Sequence, residues 1–310
     1  RHFAKRRRCY LYWRESSITQ GRRGRGTRAA RLKAGATKAE RVDRLYEFRE
    51  LKNKVACMTI LDKIVENTQN QVEERKRHVP SAELRDAAEA LRITRPSFYK
   101  ALQQSAINII AEVKKASPSK GLICTDFQPV HIAQEYDQGG AAAISVLTDE
   151  SFFQGHLTFL DDIAAAVQKP LLRKDFIIDA YQVYEARLHQ ASAVLLLAGI
   201  LDLMQLKELQ ELAHNLGLDA LVEIHDFKEL DKVLQAEAPI IGVNNRDLKS
   251  FQVDLQTSIR LAHEIPAEKL RISESGIYTH KDIATLQAAG YDAFLIGESL
   301  MRQSDRAAAL

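Results

Sequence analysis

The chain has 310 residues, 45% of them apolar and 27% charged, with a formal net charge of +3. This balance excludes collagen-like, wholly disordered and disulfide-scaffold proteins, and the length favours one large α/β domain or two smaller domains. The longest nearly apolar stretch, residues 191–201, is shorter than the roughly 18–20 residues of a membrane-spanning helix. Cys9, Cys57 and Cys124 form no CxxC pair, and no cluster has the spacing of metal ligands. We therefore expect no metal site and a cytoplasmic location.

The charge is distributed unevenly along the chain. Residues 1–57 contain 18 Lys and Arg but 5 Asp and Glu, whereas residues 58–310 contain 26 basic and 36 acidic residues. The Arg/Gly-rich runs of the first segment cannot bury enough apolar surface to fold, so we expect a disordered basic extension with one short helix near residues 39–55. It could bind nucleic acid through phosphate contacts, act as a transit peptide, or be a translated upstream stretch or other artefact with the native start at Met58. We favour the last interpretation.

From Met58 onward the sequence predicts two amphipathic helices, residues 60–76 and 81–91, separated by Pro80. Eight short apolar runs then alternate with eight helical patterns. The predicted strands are residues 108–113, 142–147, 170–173, 193–197, 220–223, 239–243, 271–273 and 293–296. The predicted helices are residues 130–136, 160–167, 180–189, 203–216, 227–235, 256–263, 281–289 and 299–310. Eight such units favour a (β/α)8 TIM barrel over residues 58–310, with extra N-terminal helices, because no GxGxxG follows the first strand as in many open sheets.

Six of the eight predicted strands end in charged or amide side chains. These strand ends carry Glu112 and Lys114, Lys174 and Asp175, Glu223, Asn244 to Arg246, Glu274 to Gly276, and Gly297 with Glu298. Each residue alone could be a cap, a turn or a solvated surface group. In a barrel, however, the carboxyl ends of all strands meet at one mouth, and such a set indicates acid–base chemistry on an anionic substrate.

The last two strand ends suggest the form of the anion. Ser275-Gly276 and Gly297 precede helical segments, and this is where such barrels commonly bind phosphate through backbone N–H groups. Phe153 and Phe176 follow the second and third strands, where they could wall a flat apolar ring or simply pack loops onto the barrel. The predicted substrate is a small phosphate ester.

Several stretches also match a known family in order and spacing. They are RP at 95–96 with Phe98, IAEVKKASPS at 110–119, SVLTD at 145–149, LRKDFI at 172–177, VEI at 222–224, IGVNNRDL at 241–248, SESGI at 273–277 and FLIGESLM at 294–301. On these stretches residues 58–310 resemble indole-3-glycerol phosphate synthase, a tryptophan-pathway barrel. Residues 1–57 lie outside the resemblance.

The resemblance implies closure of 1-(2-carboxyphenylamino)-1-deoxyribulose 5-phosphate to indole-3-glycerol phosphate, with loss of CO2 and water and without a cofactor. It makes Lys174 the general acid and Lys114 an aid to dehydration, while Glu112 and Glu223 share the later proton transfers in an order left open. The implied catalytic residues are Lys174, Lys114, Glu112, Glu223 and Asn244. The implied substrate-binding residues are Ser117, Arg246, Phe153, Phe176 and Leu195. The implied phosphate-binding residues are Ser275, Gly276, Gly297 and Glu298. Some relatives have serine at position 298, and because a carboxylate beside a phosphate is unfavourable, Glu298 is expected to contribute only its backbone N–H.

Two alternatives stay open at this stage. Another phosphate-binding barrel enzyme, such as phosphoribosylanthranilate isomerase, would need a Cys/Asp pair, which Cys124 and Asp175 supply poorly; a nucleic-acid-binding protein would act through the basic arm. Because no stretch is long enough to span a membrane, we expect no membrane partner, and we do not favour nucleic acid as a partner. The family resemblance implies a phosphoribosylanthranilate isomerase domain or another tryptophan-pathway enzyme as a partner, and a fused partner domain would have been cut away. Crowded, partly desolvated lysines are expected to have depressed pKa values.

Overall fold

The computed structural model describes residues 58–248 and 250–310, so the basic extension and the helix expected near residues 39–55 lie outside it. Eight parallel strands pair in sequence order and close into a barrel, the eighth pairing with the first. The barrel strands are β1 (Asn108–Val113), β2 (Ala143–Leu147), β3 (Leu171–Lys174), β4 (Ala193–Leu197), β5 (Asp219–Ile224), β6 (Ile240–Asn244), β7 (Leu270–Glu274) and β8 (Ala293–Ile296). The TIM-barrel prediction is confirmed.

Helices alternate with these strands and cover the barrel. They are α1 (Ile60–His78), α2 (Ser81–Glu89), α3 (Phe98–Ala101), α4 (Pro129–Gln138), α5 (Thr158–Ala166), α6 (Ala180–Leu188), α7 (Leu203–Asn215), α8 (Phe227–Gln235), α9 (Gln256–Ala262), α10 (His280–Ala288), α11 (Glu298–Met301) and α12 (Arg306–Ala309). Side-chain caps fix several starts: Thr59, Asp202 and Thr279 each form a capping box at the head of α1, α7 and α10. None of the helices in the described part of the chain is long and apolar enough to span a membrane.

The last predicted helix is wrong in one respect. Residues 299–310 were expected to form one helix, but α11 ends at Met301 and α12 begins only at Arg306. The Asp305 carboxylate accepts a hydrogen bond from the Ala308 N–H and so starts a new helix instead of continuing the old one. The sequence does not predict three short elements. They are helix α3 and two two-residue strands, Ala116–Ser117 and Gly121–Leu122, which pair as an antiparallel hairpin.

Apolar packing occurs in two layers. Inside the barrel, side chains such as Leu172, Leu221 and Ile240 are fully buried, so the lower barrel is a packed core. A larger cluster fills the space between the strands and the surrounding helices. Helix α1 lies against α6, where Arg75 pairs with the buried Glu185 at 3.4 Å, and its first turns reach the open end of the barrel. This places an extra N-terminal helix beside the mouth.

Candidate active site

The carboxyl ends of the strands surround one cavity. Its lining includes every catalytic, substrate-binding and phosphate-binding residue that the family resemblance implied: Glu112, Lys114, Ser117, Phe153, Lys174, Phe176, Leu195, Glu223, Asn244, Arg246, Ser275, Gly276, Gly297 and Glu298. The structure thus brings together side chains from β1, β3, β5, β6 and the loops after β7 and β8. Their placement in one cavity is geometric; the role of each stays a proposal.

A lysine held between two carboxylates forms the centre of the cavity. Lys174 Nζ lies 2.7 Å from Glu223 Oε2 and 3.0 Å from Glu274 Oε2, and both carboxylates are almost completely buried. Lys174 and Glu274 end β3 and β7, while Glu223 and Glu112 are each one residue before the end of β5 and β1. Odd-numbered strands contribute one layer of side chains to a barrel interior. Here that uppermost layer is charged instead of apolar.

The lysine pKa differs from the sequence expectation. Burial alone would lower the pKa of Lys174, but the attraction of Glu223 and Glu274 outweighs burial and raises it. The expected depressed pKa is therefore wrong for Lys174, because the sequence did not show how closely two carboxylates approach its ammonium group. Lys174 is protonated at neutral pH, the state that a proton donor requires.

The two carboxylates that share Lys174 differ in protonation. Burial raises the pKa of both. For Glu223, however, the attraction of Lys174 and of His225 and a hydrogen bond from Asn244 Nδ2 at 2.9 Å outweigh burial and lower the pKa to about 2. Glu274 Oε1 has no hydrogen-bond partner among the described residues, and burial raises the pKa of Glu274 to about 7. Glu223 is therefore the ionised member and Glu274 the one that titrates near neutrality.

A second pair lies beside this centre. Lys114 Nζ donates to Glu112 Oε1, and the two residues are two apart on β1 and just beyond it, on one face of the strand. Gly297 packs directly against the pair: a Cβ there would overlap Glu112 Oε1 and lie 2.9 Å from Lys114 Nζ. The glycine is thus required for the close approach of two charged side chains, a requirement the sequence did not reveal.

The rim of the cavity carries groups that can hold anions. Ser275 and Gly276 both have positive φ, 67° and 75°, which turns their backbone toward the mouth before α10. The Glu298 carboxylate lies 3.1 Å from Arg302, 3.8 Å from Lys120 and 3.9 Å from Arg246. Its side chain thus faces cations while its N–H begins α11, an arrangement compatible with a backbone contact to an anion.

The opposite wall is apolar. The Phe153 and Phe176 rings lie 6.0 Å apart between centroids, tilted by 38°, and Leu195 lines the cavity below them. Ile60, Leu61 and Ile64 from the start of α1 complete this side. A flat ring fits against such a wall, with the charged centre beneath it.

Comparisons with known proteins identify the family of this chain. The model of the family described as indole-3-glycerol phosphate synthase matches residues 61–310. The chain is 49% identical over 248 residues to the indole-3-glycerol phosphate synthase of Rhodopirellula baltica, covering 80% of this chain and 96% of the relative. It is 48% identical over 246 residues to the enzyme of that name from Chlorobium chlorochromatii, covering 78% and 95%. The chain belongs to the indole-3-glycerol phosphate synthase family.

Solved structures outside this family share only the fold. The 3-hexulose-6-phosphate synthase of Salmonella typhimurium has a TM-score of 0.53 at 13% identity, covering 65% of this chain and 93% of that one. The N-acetylmannosamine-6-phosphate 2-epimerase of Clostridium perfringens has a TM-score of 0.51 at 15% identity, covering 68% and 93%. These similarities support the barrel and carry no argument about the substrate.

Several residues in or beside the cavity are not predictable from the motifs in the sequence. The sequence marks Glu274 as a strand end without indicating a role, although Glu274 lies two residues after Ile272, which packs inside the barrel, and so shares its inward face. The apolar residues of α1 gave no signal, because only the packing of α1 on α6 brings them to the mouth. His225, two residues after Glu223, belongs to no motif in the sequence, yet its Nε2 lies 3.4 Å from Glu223 Oε1.

The two residues considered for the alternative isomerase activity, Asp175 and Cys124, form hydrogen bonds to other residues and not to each other. Asp175 accepts hydrogen bonds from the fully buried Arg173 at 2.8 Å and from Thr148 at 2.6 Å, and Cys124 Sγ donates to the Asp126 carbonyl at 3.3 Å. Within residues 58–248 and 250–310, no group of three or more His, Cys, Asp or Glu is arranged to hold a metal ion.

Proposed function

We propose that this chain is an indole-3-glycerol phosphate synthase, closing the indole ring of 1-(2-carboxyphenylamino)-1-deoxyribulose 5-phosphate with loss of CO2 and water. The observation that carries the proposal is the protonated Lys174 between Glu223 and Glu274, below an apolar wall and an anion-binding rim. This arrangement supplies a permanently charged ammonium group that can hydrogen-bond a substrate carbonyl and stabilise the negative charge that develops on its oxygen.

Lys174 acts in the first step. The ring carbon that carries the carboxylate attacks the ribulose carbonyl carbon, a C–C bond forms, and the carbonyl oxygen takes a proton from Lys174. Loss of CO2 then restores the aromatic ring. Because the pKa of Lys174 is raised by its two carboxylate neighbours, the lysine is fully charged when the oxyanion develops and stabilises it before the proton moves.

Dehydration uses the remaining groups. The new hydroxyl leaves as water with a proton from Lys114, whose partner Glu112 holds it at the mouth. A proton must also leave the adjacent CH2 carbon to complete the indole. Glu223 takes this proton, because its lowered pKa keeps it ionised and Asn244 fixes the orientation of its carboxylate.

The anionic ends of the substrate are held at the rim. Arg246 and Ser117 bind the carboxylate of the anthranilate ring until it leaves, and the backbone of Ser275, Gly276, Gly297 and Glu298 binds the phosphate. Phe153, Phe176 and Leu195 pack against the ring. The expected partner is thus a small phosphorylated substrate, with no cofactor required by these steps.

Indole fluorescence tests the reaction directly. The chain has a single tryptophan, Trp13, so emission from the product is measured against a low background when purified protein meets the substrate. Phosphoribosylanthranilate serves as the alternative substrate. Product from the first compound alone supports the proposal, and turnover of the second alone would replace it with the isomerase activity.

We further propose that residues 58–310 are the catalytic domain, that the basic extension is dispensable and that the enzyme works in the cytoplasm. Deletion to Met58 is expected to leave turnover unchanged and to abolish retention on heparin. Loss of turnover would contradict the dispensable role. The expected partner is a phosphoribosylanthranilate isomerase domain or another tryptophan-pathway enzyme. Co-elution of this chain with the separately purified partner enzyme tests the association.

A further inference from the structure

A half-buried imidazole lies behind the proposed base. His225 directly follows β5, and its Nε2 lies 3.4 Å from Glu223 Oε1 while its Nδ1 lies 3.2 Å from Glu229 Oε2 on α8. The His225 backbone N–H also donates to Glu229 Oε2 at 2.8 Å, which fixes the ring between the two carboxylates. His225 does not line the cavity, so it contacts Glu223 from behind.

The three side chains form a line from the cavity to the surface. The Glu223 side chain is 2% exposed, whereas those of His225 and Glu229 are each 18% exposed. His225 Nε2 is buried and makes no hydrogen bond among the described residues, although a carboxylate oxygen lies at ion-pair distance. An unsatisfied buried nitrogen is costly unless it gains a partner at some stage. A protonated Glu223 would be that partner.

The surroundings keep the imidazole able to change its charge. Burial lowers the pKa of His225, but Glu229, Glu223 and the more distant Glu274 outweigh burial, and the net shift is upward. On the far side of Glu223, Lys174 holds Oε2 at 2.7 Å and the Asn244 amide holds Oε1 at 2.9 Å. Acidic groups therefore face both ring nitrogens, and each nitrogen can exchange a proton with a carboxylate.

We propose that His225 is a positioning residue that relays the proton collected by Glu223 out of the cavity to Glu229. After Glu223 has taken the proton from the substrate CH2 carbon, His225 gives its Nδ1 proton to Glu229 and accepts the Glu223 proton at Nε2. Glu229 then releases its proton to water. In this step the Nδ1–H bond of His225 breaks and an Nε2–H bond forms, one proton leaves, and Glu223 is ionised again. Tautomer exchange of the partly exposed imidazole through water then returns the ring proton from Nε2 to Nδ1 before the next substrate.

A relay is needed because direct escape is closed. Both Glu223 oxygens are occupied, one by Lys174 and one by Asn244, and the carboxylate is almost fully buried below the bound product. Without a relay, the proton on Glu223 could leave only after the product is released. This inference rests on the proposed function, since Glu223 must act as a base during turnover.

Two isosteric variants separate proton relay from simple hydrogen bonding. His225→Gln places an amide nitrogen near the Nε2 position, facing Glu223, and His225→Asn places one near the Nδ1 position, facing Glu229; neither amide titrates. His131→Gln is the matched control, since His131 makes a similar ion pair with Glu135 at 3.8 Å on the exposed side of α4. Single-turnover indole formation and kcat with KM are measured from pH 5 to pH 9.

We expect both His225 variants to lower kcat about tenfold or more, at the lower end of what positioned proton transfer contributes. KM should stay within twofold, the control should match wild type, and the pH profile should lose the limb due to imidazole titration. Wild-type rates in both variants would overturn the relay. Loss in His225→Asn with full activity in His225→Gln would also overturn it, since hydrogen bonding to Glu223 would then suffice.

Two further measurements test the relay even if one His225 variant folds poorly: chemical rescue of His225→Ala and substitution of Glu229. In His225→Ala, added imidazole should restore the rate several-fold while isosteric but weakly basic pyrazole should not; equal effects of the two would contradict the relay. Glu229→Gln should reproduce the loss in kcat, and wild-type kcat there would overturn the path to α8. A wild-type chain that forms no indole product would overturn the proposed function and the relay together, whereas active variants overturn the relay alone.

Discussion

Glu274 gives the strongest prediction about how the site affects stability. Its Oε2 lies 3.0 Å from Lys174, its Oε1 has no hydrogen-bond partner among the described residues, and the side chain is 1% exposed. Gly242 on β6 makes room for it, since a Cβ there would overlap Oε1. The result is a carboxyl group whose pKa is raised from 4.5 to about 7, mainly by burial.

The sign of the pH effect follows from linkage. The native state binds the Glu274 proton more tightly than the unfolded state, so this group stabilises the fold below about pH 4.5 and loses that contribution as the pH rises through about 7. A difference of two to three pKa units, at about 1.4 kcal/mol per unit, amounts to about 3 kcal/mol. Most of this change falls between pH 5 and pH 8.

Urea unfolding of wild type and Glu274→Gln at several pH values between 5 and 8 measures the effect. The amide does not titrate, so the variant should gain about 2–3 kcal/mol relative to wild type between pH 5 and pH 8. Asp282→Asn, away from the site, is the matched control: hydrogen bonds from Tyr278 and Thr279 outweigh burial and lower the pKa of Asp282, so its stabilisation is lost only in the acid range and the curve between pH 5 and pH 8 should stay parallel to wild type. Parallel stability curves for wild type and Glu274→Gln across this range would refute the reasoning.

Three further variants test the proposed roles. Lys174→Met should lower kcat by about 10²–10⁴-fold in the indole fluorescence assay, and a rate within threefold of wild type would remove Lys174 as the acid. Gly297→Ala should lower kcat more than it raises KM, because its Cβ would displace Glu112 and Lys114; an unchanged kcat together with lost thermal protection by inorganic phosphate would instead make Gly297 purely a phosphate contact. Arg246→Lys should raise KM for the carboxylated substrate more than it lowers kcat, since lysine cannot make a bidentate contact, and an unchanged KM would contradict that role.

The sequence predicted the barrel closely because its signals are local. Short apolar runs and helical periodicity located each barrel strand to within about one residue of its observed ends, as with β1 and β4, which match at both ends. The rim was predictable for a similar reason, since parallel strands must bring their carboxyl ends together. The broken final helix was missed because Asp305 was not recognised as a cap within a helix-favouring stretch.

Pairwise distances inside the site could not be predicted in this way. Lys174 and Glu274 are 100 residues apart, and only closure of the barrel sets their separation, which decides the direction of the lysine pKa shift. Gly297 illustrates the same limit. Its position before α11 predicted a turn or an anion contact, whereas its nearest neighbours are the Glu112 and Lys114 side chains. His225 carried no sequence signal, because its meaning depends on Glu229 one helical turn later.

The charge balance at the centre explains why the anionic ends of the substrate belong at the rim. Two lysines, Lys114 and Lys174, face three carboxylates, Glu112, Glu223 and Glu274; below about pH 7 the raised pKa of Glu274 leaves two positive and two negative charges. A neutral centre offers no net attraction to a phosphate or carboxylate. It is suited instead to the uncharged carbonyl and CH2 groups, where charge develops only during reaction and preformed donors and acceptors lower the barrier most. The anions must then bind to the rim cations and backbone N–H groups, which directs the reacting atoms of the substrate toward Lys174.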